Sequence, residues 1–353
     1  MTHKLAEALL VWYASEKRDL PWRYTRDPYA VWISEVMLQQ TQVETVVPYF
    51  QRWMERYPSL QALAEAPIDD VLNLWEGLGY YRRAHALHRA ARERRAAGYD
   101  SLPDTVTELE SLPGIGPYTA RAVAAIAFGA DVLALDGNLR RVLARIFNVE
   151  LDISTADGER KLRQLGESVL PRGKASAFNQ ALMDLGATVC VVRAPRCSTC
   201  PVAEMCAAFQ AGVEEERPIR PKRKARPHRR LSQVALWRSG SVLVGRRPQH
   251  GLLAGLWAFP GETMMDDEAP ESAARRTVEE QLRMSCSELG RLGEVEHAYT
   301  HFTVTAYAYV CDAGEGHPTS DKLAELSWVE LDSLPGLAMG KVDRAIAQLL
   351  TNA

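Results

Sequence analysis

The stretch Leu112-Pro113-Gly114-Ile115-Gly116-Pro117-Tyr118-Thr119-Ala120 lies between two segments of helical periodicity, 105–111 and 118–128, and its reading decides the fold of the N-terminal half. Two glycines permit a tight turn with close backbone approach, and Pro117 suits the first position of the next helix. The N–H groups exposed at that helix start form a natural phosphate site. By itself a Gly-x-Gly turn is more often a plain connection between helices.

Outward from this turn, positions 32–209 run helix after helix, in Ala- and Leu-rich amphipathic stretches cut by Tyr57-Pro58, Ala66-Pro67 and Pro171-Arg172-Gly173. The predicted N-terminal domain, 1–213, is all-α. Positions 1–20 have helical spacing but carry Glu7, Glu16 and Asp19 and lack a small-residue cleavage site, so they read as a mature amphipathic helix and not a leader. A chain of 353 residues suggests two domains, and no apolar run in it is long enough to span a bilayer. The formal charge of -3 does not announce a nucleic-acid binder, but charge is segregated: eight Lys or Arg and no acid lie between Arg217 and Arg230, after the acidic run 214–216. With Pro218, Pro221 and Pro227 and little to bury, 214–230 reads as a basic surface linker. Beyond it the runs 234–237, 241–244 and 303–310 read as strands and 271–282 as a helix, giving an α+β domain over 231–350.

Four of the six cysteines, Cys190, Cys197, Cys200 and Cys206, fall in one stretch with the spacing Cys-x6-Cys-x2-Cys-x5-Cys, just after the helical segment 178–188. Such density argues for metal, and four thiolates can hold either a tetrahedral zinc or a cubane cluster. Zinc ribbons present two Cys-x2-Cys knuckles; this stretch has one. Two carboxylates also stand out. Glu35 sits in Trp32-Ile33-Ser34-Glu35-Val36-Met37-Leu38-Gln39-Gln40-Thr41, roughly 60° from Trp32 on a helical wheel, at the edge of a stripe formed by Trp32, Val36, Val43 and Val47. A carboxyl beside apolar side chains holds its proton more tightly, as a general acid must, whereas a helix-flank Glu is ordinarily solvated. Asp136, in Leu135-Asp136-Gly137-Asn138 before the helical segment 139–147, is placed for a turn or helix cap.

In combination and in this order, Ser-Glu-Val-Met-Leu-Gln-Gln-Thr, the Gly-x-Gly hairpin, Leu-Asp-Gly-Asn and the cysteines closely resemble the MutY family over nearly the whole helical half. The resemblance implies an all-α helix-hairpin-helix glycosylase domain with a [4Fe–4S] module on Cys190, Cys197, Cys200 and Cys206, followed by an α+β Nudix-like domain. It implies excision of adenine mispaired with 8-oxoguanine or guanine in double-stranded DNA. Glu35 would protonate adenine at N7 and Asp136 would stabilise or trap the sugar cation, with Tyr118 and Asn138 assisting. Gly114 and Gly116 would grip the DNA backbone, and Arg193 and Arg196 would meet phosphate beside the cluster. Bifunctional members, similar to endonuclease III, carry a lysine where this chain has Tyr118, so a monofunctional enzyme is expected. In the family motif Leu78-Gly79-Tyr80-Tyr81, Tyr80 would insert beside 8-oxoguanine, with Gln40 wedging near it and Arg23 lining the adenine pocket; as residues alone, such aromatics are as often core and such an arginine as often wet.

The stretch 251–261 resembles the opening of a MutT-like, Nudix-type fold. Against that signature the chain keeps Glu268, Arg276 and Glu280 but has Glu262 for a glycine and Thr277 and Gln281 for glutamates, so hydrolysis of a pyrophosphate is not expected. The family uses this domain to recognise 8-oxoguanine through Phe-Ser-His, matched here by Tyr299-Thr300-His301, a triplet that could also simply start the strand 303–310. The linker has no cysteine, so no linker metal is expected. With 1–20 read as a mature helix and no run long enough to span a bilayer, the expected location is the cytoplasm, nucleoid-associated, with no membrane partner, and a monomer is expected. Two rivals remain: an endonuclease III-like pyrimidine glycosylase with lyase activity, and a nucleotide pyrophosphatase fused to a DNA-binding module.

Overall fold

The computed structural model describes residues 2–221 and 225–352; Lys222, Arg223 and Lys224 of the basic linker lie outside them. The chain divides into two units, Met1–Glu65 with Ala86–Arg223, and Ala66–His85 with Lys224–Ala353. The helices in chain order are α1 (Thr2–Glu16), α2 (Pro28–Leu38), α3 (Val43–Arg56), α4 (Leu60–Glu65), α5 (Ile68–Trp75), α6 (Arg82–Ala96), α7 (Val106–Glu110), α8 (Pro117–Ile126), α9 (Gly137–Ile146), α10 (Ala156–Val169), α11 (Ala175–Thr188) and α12 (Ala207–Gln210).

Side-chain caps start these helices where the sequence supplies them. Asp27 accepts from Tyr29 N at α2, Thr105 from Glu108 N at α7, Asp136 from Leu139 N at α9 and Thr155 from Gly158 N at α10. At α7 the Thr105 hydroxyl also donates to Glu108 Oε2 at 2.6 Å. The first unit's core includes Leu5 and Leu9 of α1, packed with Leu139, Val142 and Leu143 of α9 and Phe178, Leu182 and Leu185 of α11. The N-terminal helix thus closes over elements far along the chain. Helix α8 is Ala-rich and buried from Ala122 to Ala125, which lets neighbouring helices approach its backbone.

The second unit is built on a mixed sheet of β1 (His228–Arg238), β2 (Ser241–Arg246), β3 (Trp257–Ala258), β4 (Gly261–Thr263), β5 (Cys286–Ala298), β6 (Thr303–Ala313) and β7 (Glu325–Glu330). The order is β3-β2-β1-β6-β5, with β4 on β1 and β7 on β2, and β1 runs parallel to β6. Alternate residues serve opposite faces. Val234, Leu236 and Leu243 join Ala274 of α13 (Pro270–Arg276), Val278 of the π-helical turn Thr277–Gln281 that follows it, and Leu282 just beyond. Ala235, Val242 and Val244 join Val342, Ile346 and Leu350 of α14 (Lys341–Thr351). Both faces are covered, which is why the strands read as short apolar runs. Strand β1 begins at His228, inside the stretch read as linker, because the backbone at 228–230 pairs with Thr303, Val304 and Thr305 of β6 despite its basic side chains. Residues 66–85 belong to this unit through Asn73 Nδ2 on Gly336 O, Tyr81 Oη on Met339 O and the bidentate pair of Arg344 with Glu76.

Candidate active site

Helix α2 is buried on every side from Tyr29 to Met37 and carries Glu35 into the interior, where it is 5% exposed. Val43 and Val47 do not continue the apolar stripe of α2. Helix α2 stops at Leu38, Gln40 turns the chain with φ 60°, and α3 buries Val46, Phe50 and Trp53 instead. Glu35 Oε2 accepts from the hydroxyl of Tyr118, at the start of α8, at 2.5 Å. Burial pushes the Glu35 carboxyl up to about 7, against the Tyr118 hydrogen bond and with the help of the Asp136 charge; Arg23 pulls weakly the other way. Burial and the same two carboxylates hold the Tyr118 phenol far above its ordinary range, so it stays a donor.

Asp136 caps α9, accepting from Leu139 N at 2.6 Å through Oδ1 and from Asn138 Nδ2 at 3.1 Å through Oδ2. The cap reading is therefore correct as far as it goes. Burial still raises the carboxyl, offset by the backbone and side-chain donors at 138–139 and by Arg141. Glu35, Tyr118, Asp136, Asn138, Arg23, Gln40, Gly114 and Gly116 all line one cleft of about 850 Å³ in the first unit, and among its described lining residues there is no lysine. The hairpin supplies part of its lining. Gly114 has φ 75°, and a Cβ there would lie 2.4 Å from the Ala86 Cβ, so the turn requires glycine. Gly116 has an ordinary φ of -90° as the cap of α8, and a Cβ would meet nothing within 4 Å. The fold itself therefore does not demand glycine at 116; the openness leaves room for a ligand against the helix start.

Two residues that pattern reading missed organise this cleft. Asp184 of α11 is buried and receives both Arg18 and Arg23. Arg141 of α9 donates from Nη2 to Asn138 Oδ1 at 2.9 Å and to Gly186 O at 2.7 Å, and from Nε to Cys190 O at 2.8 Å. A continuous chain of hydrogen bonds thus joins Asp136, Asn138 and Arg141 to the first cysteine. Gly186 makes the close approach possible, since a Cβ there would lie 2.6 Å from the Asn138 Cβ. The one sequence signal was an acid and a glycine inside the apolar helix α11.

Cys190, Cys197, Cys200 and Cys206 line one small apolar cavity together with Val142, Ile146 and Leu185. Arg145, fully buried, donates to Val191 O at 2.6 Å and Val192 O at 3.0 Å and reaches Cys190 Sγ at 3.4 Å. Among the described residues no group of three or more His, Cys, Asp or Glu is placed to hold a single metal ion. Arg193 and Arg196 are exposed on the loop between the first two cysteines.

Residues 33–168 match the profile of the HhH-GPD superfamily of base excision DNA repair proteins, and residues 233–349 that of the NUDIX domain. The chain is 36% identical to the adenine DNA glycosylase of Mus musculus over 396 residues, covering 95% of this chain and 76% of the mouse protein. It belongs to the adenine DNA glycosylase family. The Homo sapiens adenine DNA glycosylase is 37% identical over 362 residues, 86% of this chain and 66% of the human one. A thermostable thymine-DNA glycosylase superposes with a TM-score of 0.55 at 29% identity, covering 60% of this chain and 97% of its own. The chain is a base excision repair enzyme, and the pyrimidine-lyase and pyrophosphatase readings give way to an adenine DNA glycosylase. Among the described residues no helix is long and apolar enough to cross a membrane.

The second unit of the glycosylase brings together residues far apart in sequence. Tyr80, held at φ 50° after Gly79 at φ 71°, hydrogen-bonds through its hydroxyl to the hydroxyl of Thr300. Leu78 of the same motif is buried. Tyr299, Thr300 and His301 form the turn of the β5–β6 hairpin, closed by Tyr299 N on Phe302 O at 2.9 Å, so they precede strand β6 and are not part of it. Thr300 and His301 are exposed. Tyr299 turns inward instead, its ring 4.8 Å from Phe302 and edge-on to His297 at 4.5 Å. Glu268, kept from the Nudix signature, and Glu262 are both ion-paired. Arg276 pairs with both Glu262 and Glu268, and Lys322 reaches Glu262 at 2.6 Å. Cys286 and Cys311, the two cysteines outside the cluster, are joined as a disulfide between β5 and β6.

Proposed function

We propose that this glycosylase excises adenine paired with 8-oxoguanine or guanine, by acid-assisted cleavage of the N-glycosidic bond and without a lyase step. The observation that carries the reading is the buried Glu35 carboxyl, held protonated up to a pH of about 7 on the wall of a cleft that also presents Asp136. A flipped adenine entering this cleft would receive the Glu35 proton at N7, which turns the base into a neutral leaving group. The electron pair of the C1′–N9 bond leaves with the base, and the cation left on the sugar is met by the Asp136 carboxylate, by charge or by a covalent bond that water later breaks. Asn138 orients that carboxylate and Tyr118 orients Glu35. Tyr118 and a cleft lined by no lysine among the described residues leave no amine to form a Schiff base with the abasic sugar.

Duplexes with adenine opposite 8-oxoguanine, guanine or thymine test this directly. Free adenine is expected from the first two, the 8-oxoguanine pair reacting faster, with strand breaks appearing only after alkali. Efficient cleavage before alkali would contradict the monofunctional reading.

We propose that the four cysteines, which line one apolar cavity, hold a [4Fe–4S] cluster. Their spacing, Cys-x6-Cys-x2-Cys-x5-Cys with a single Cys-x2-Cys knuckle, supports iron over a zinc ribbon, which presents two. The cluster would serve to fix the loop that carries Arg193 and Arg196, with Arg145 and Arg141 joining it to α9. Purified protein is expected to be brown with about four irons per chain; a colourless, zinc-containing protein would overturn the assignment.

Thr300 and His301, with Tyr80 hydrogen-bonded to Thr300, are our candidates for reading the base opposite adenine. The hydroxyl of Thr300 can donate or accept and so can report on an oxidised guanine edge. The double variant Thr300→Ala with His301→Ala is expected to lower the preference for 8-oxoguanine over guanine about tenfold, the equivalent of one lost hydrogen bond to a polar partner. Comparing single-turnover rates on the two duplexes measures it, and an unchanged ratio would count against these residues.

A further inference from the structure

We propose that Asp184 is a positioning residue of the excision cleft: from inside α11 it clamps the guanidiniums of Arg18 and Arg23 on one wall, cancelling half their charge and leaving their unspent N–H groups to face the substrate. The Asp184 side chain is wholly buried. Arg18 donates to it from the backbone N at 3.1 Å and from Nε at 2.6 Å. Arg23 donates through Nη2 at 2.7 Å and, more closely, through Nη1. Four N–H groups on two oxygens saturate the carboxylate, so it is fitted for holding and not for proton transfer.

Arg23 is fixed further, by Nη1 on Arg18 O at 3.2 Å and by the Tyr13 ring at 5.5 Å. A guanidinium has five N–H donors, and these contacts use three of Arg23's. Among the described residues Arg18 spends only Nε of its guanidinium. Both arginines line the cleft with Glu35 and Asp136, which makes Arg18 a substrate contact the sequence did not suggest.

The charge balance gives the clamp a signature that a plain structural staple lacks. Two cations and one anion leave the wall singly positive; without Asp184 it would be doubly positive. The charged and titratable groups that bear on Glu35 are Tyr118 from α8, Asp136 from the start of α9 and Arg23 from the turn before α2, while Glu44 and Arg140 line the same cleft. Added positive charge favours the Glu35 carboxylate, and removed positive charge favours the acid.

The proposal rests on Glu35 as the proton donor, and the test separates the two. Single-turnover adenine excision is followed from pH 5.5 to 9 for the whole protein and for Asp184→Asn, Arg23→Gln, their double variant and Glu35→Gln. The pH at which excision falls to half its maximum is expected to drop by about half a unit or more in Asp184→Asn, to rise in Arg23→Gln, and to return near the parent value in the double variant. If Asp184→Asn fails to fold, the upward move in Arg23→Gln decides alone, and its absence overturns the proposal. Equal losses at every pH in both single variants would make Asp184 a structural staple only. A Glu35→Gln enzyme that keeps its activity sinks the proton-donor reading and this proposal together, whereas an inactive one with unmoved midpoints in the other variants sinks this proposal alone.

Discussion

Glu35→Gln is expected to lower adenine excision by about 10²–10⁴-fold while duplex binding persists, because the amide keeps the shape of the side chain and its bond from Tyr118 but has no proton to give. The same change should stabilise the fold at alkaline pH. Glu35 holds its proton in the folded state up to about 7, above its ordinary value of 4.5. At pH below 4.5 the carboxyl is neutral folded or unfolded and costs nothing. As pH rises from 4.5 towards 7 the unfolded chain gains by ionising, and the folded state loses stability relative to it, on the order of 3 kcal/mol by pH 8. Glutamine removes that cost. Urea unfolding at pH 5 and pH 8 should therefore show Glu35→Gln close to the parent at the first and more stable at the second. An active variant, or one destabilised at pH 8, would contradict the role and the burial respectively.

Asp136→Asn separates two functions that one side chain combines. Asn is as good a helix cap as Asp, so α9 should keep its start and the protein its circular dichroism and unfolding midpoint. What disappears is the negative charge facing the cleft. A loss of about 10²–10³-fold in single-turnover excision is expected, the size seen when one preorganised electrostatic contact to a transition state is removed. Asp136→Ala supplies the contrast, since it removes both cap and charge and should also destabilise α9 by about 1 kcal/mol. If Asp136→Asn retains full activity, the residue is a cap and nothing more.

The sequence announced the parts of this site that depend on local chemistry. Pro117 at the first helical position, Gly114 in a left-handed turn and Asp136 before a helix follow rules that operate within a few residues, and the structure shows each of them. The alternation of β1 and β2 between two covered faces was likewise visible as short apolar runs. What could not be read locally is burial and partnership across the chain. The helical wheel put Glu35 at the edge of a stripe, but α2 is enclosed all round, and that enclosure is what moves its proton affinity. Asp184 meets Arg23 across 161 residues and Arg18 across 166, and no pattern in α11 names those partners. By sequence Tyr299 matches an aromatic of the recognition triplet or else a strand start, yet the hairpin turn points it towards Phe302. The stretch up to Arg230 looked like linker throughout because it is basic and Pro-rich, whereas strand pairing at 228–230 uses only the backbone.

The measurement closest to the central claim is an infrared titration of the Glu35 carboxyl in the intact protein, taking the spectrum of Glu35→Gln as the reference. The account predicts a protonated carbonyl band, present in the parent and missing from the variant, that fades with a midpoint near pH 7. A carboxyl already ionised by pH 5, as for a solvated glutamate, would contradict it.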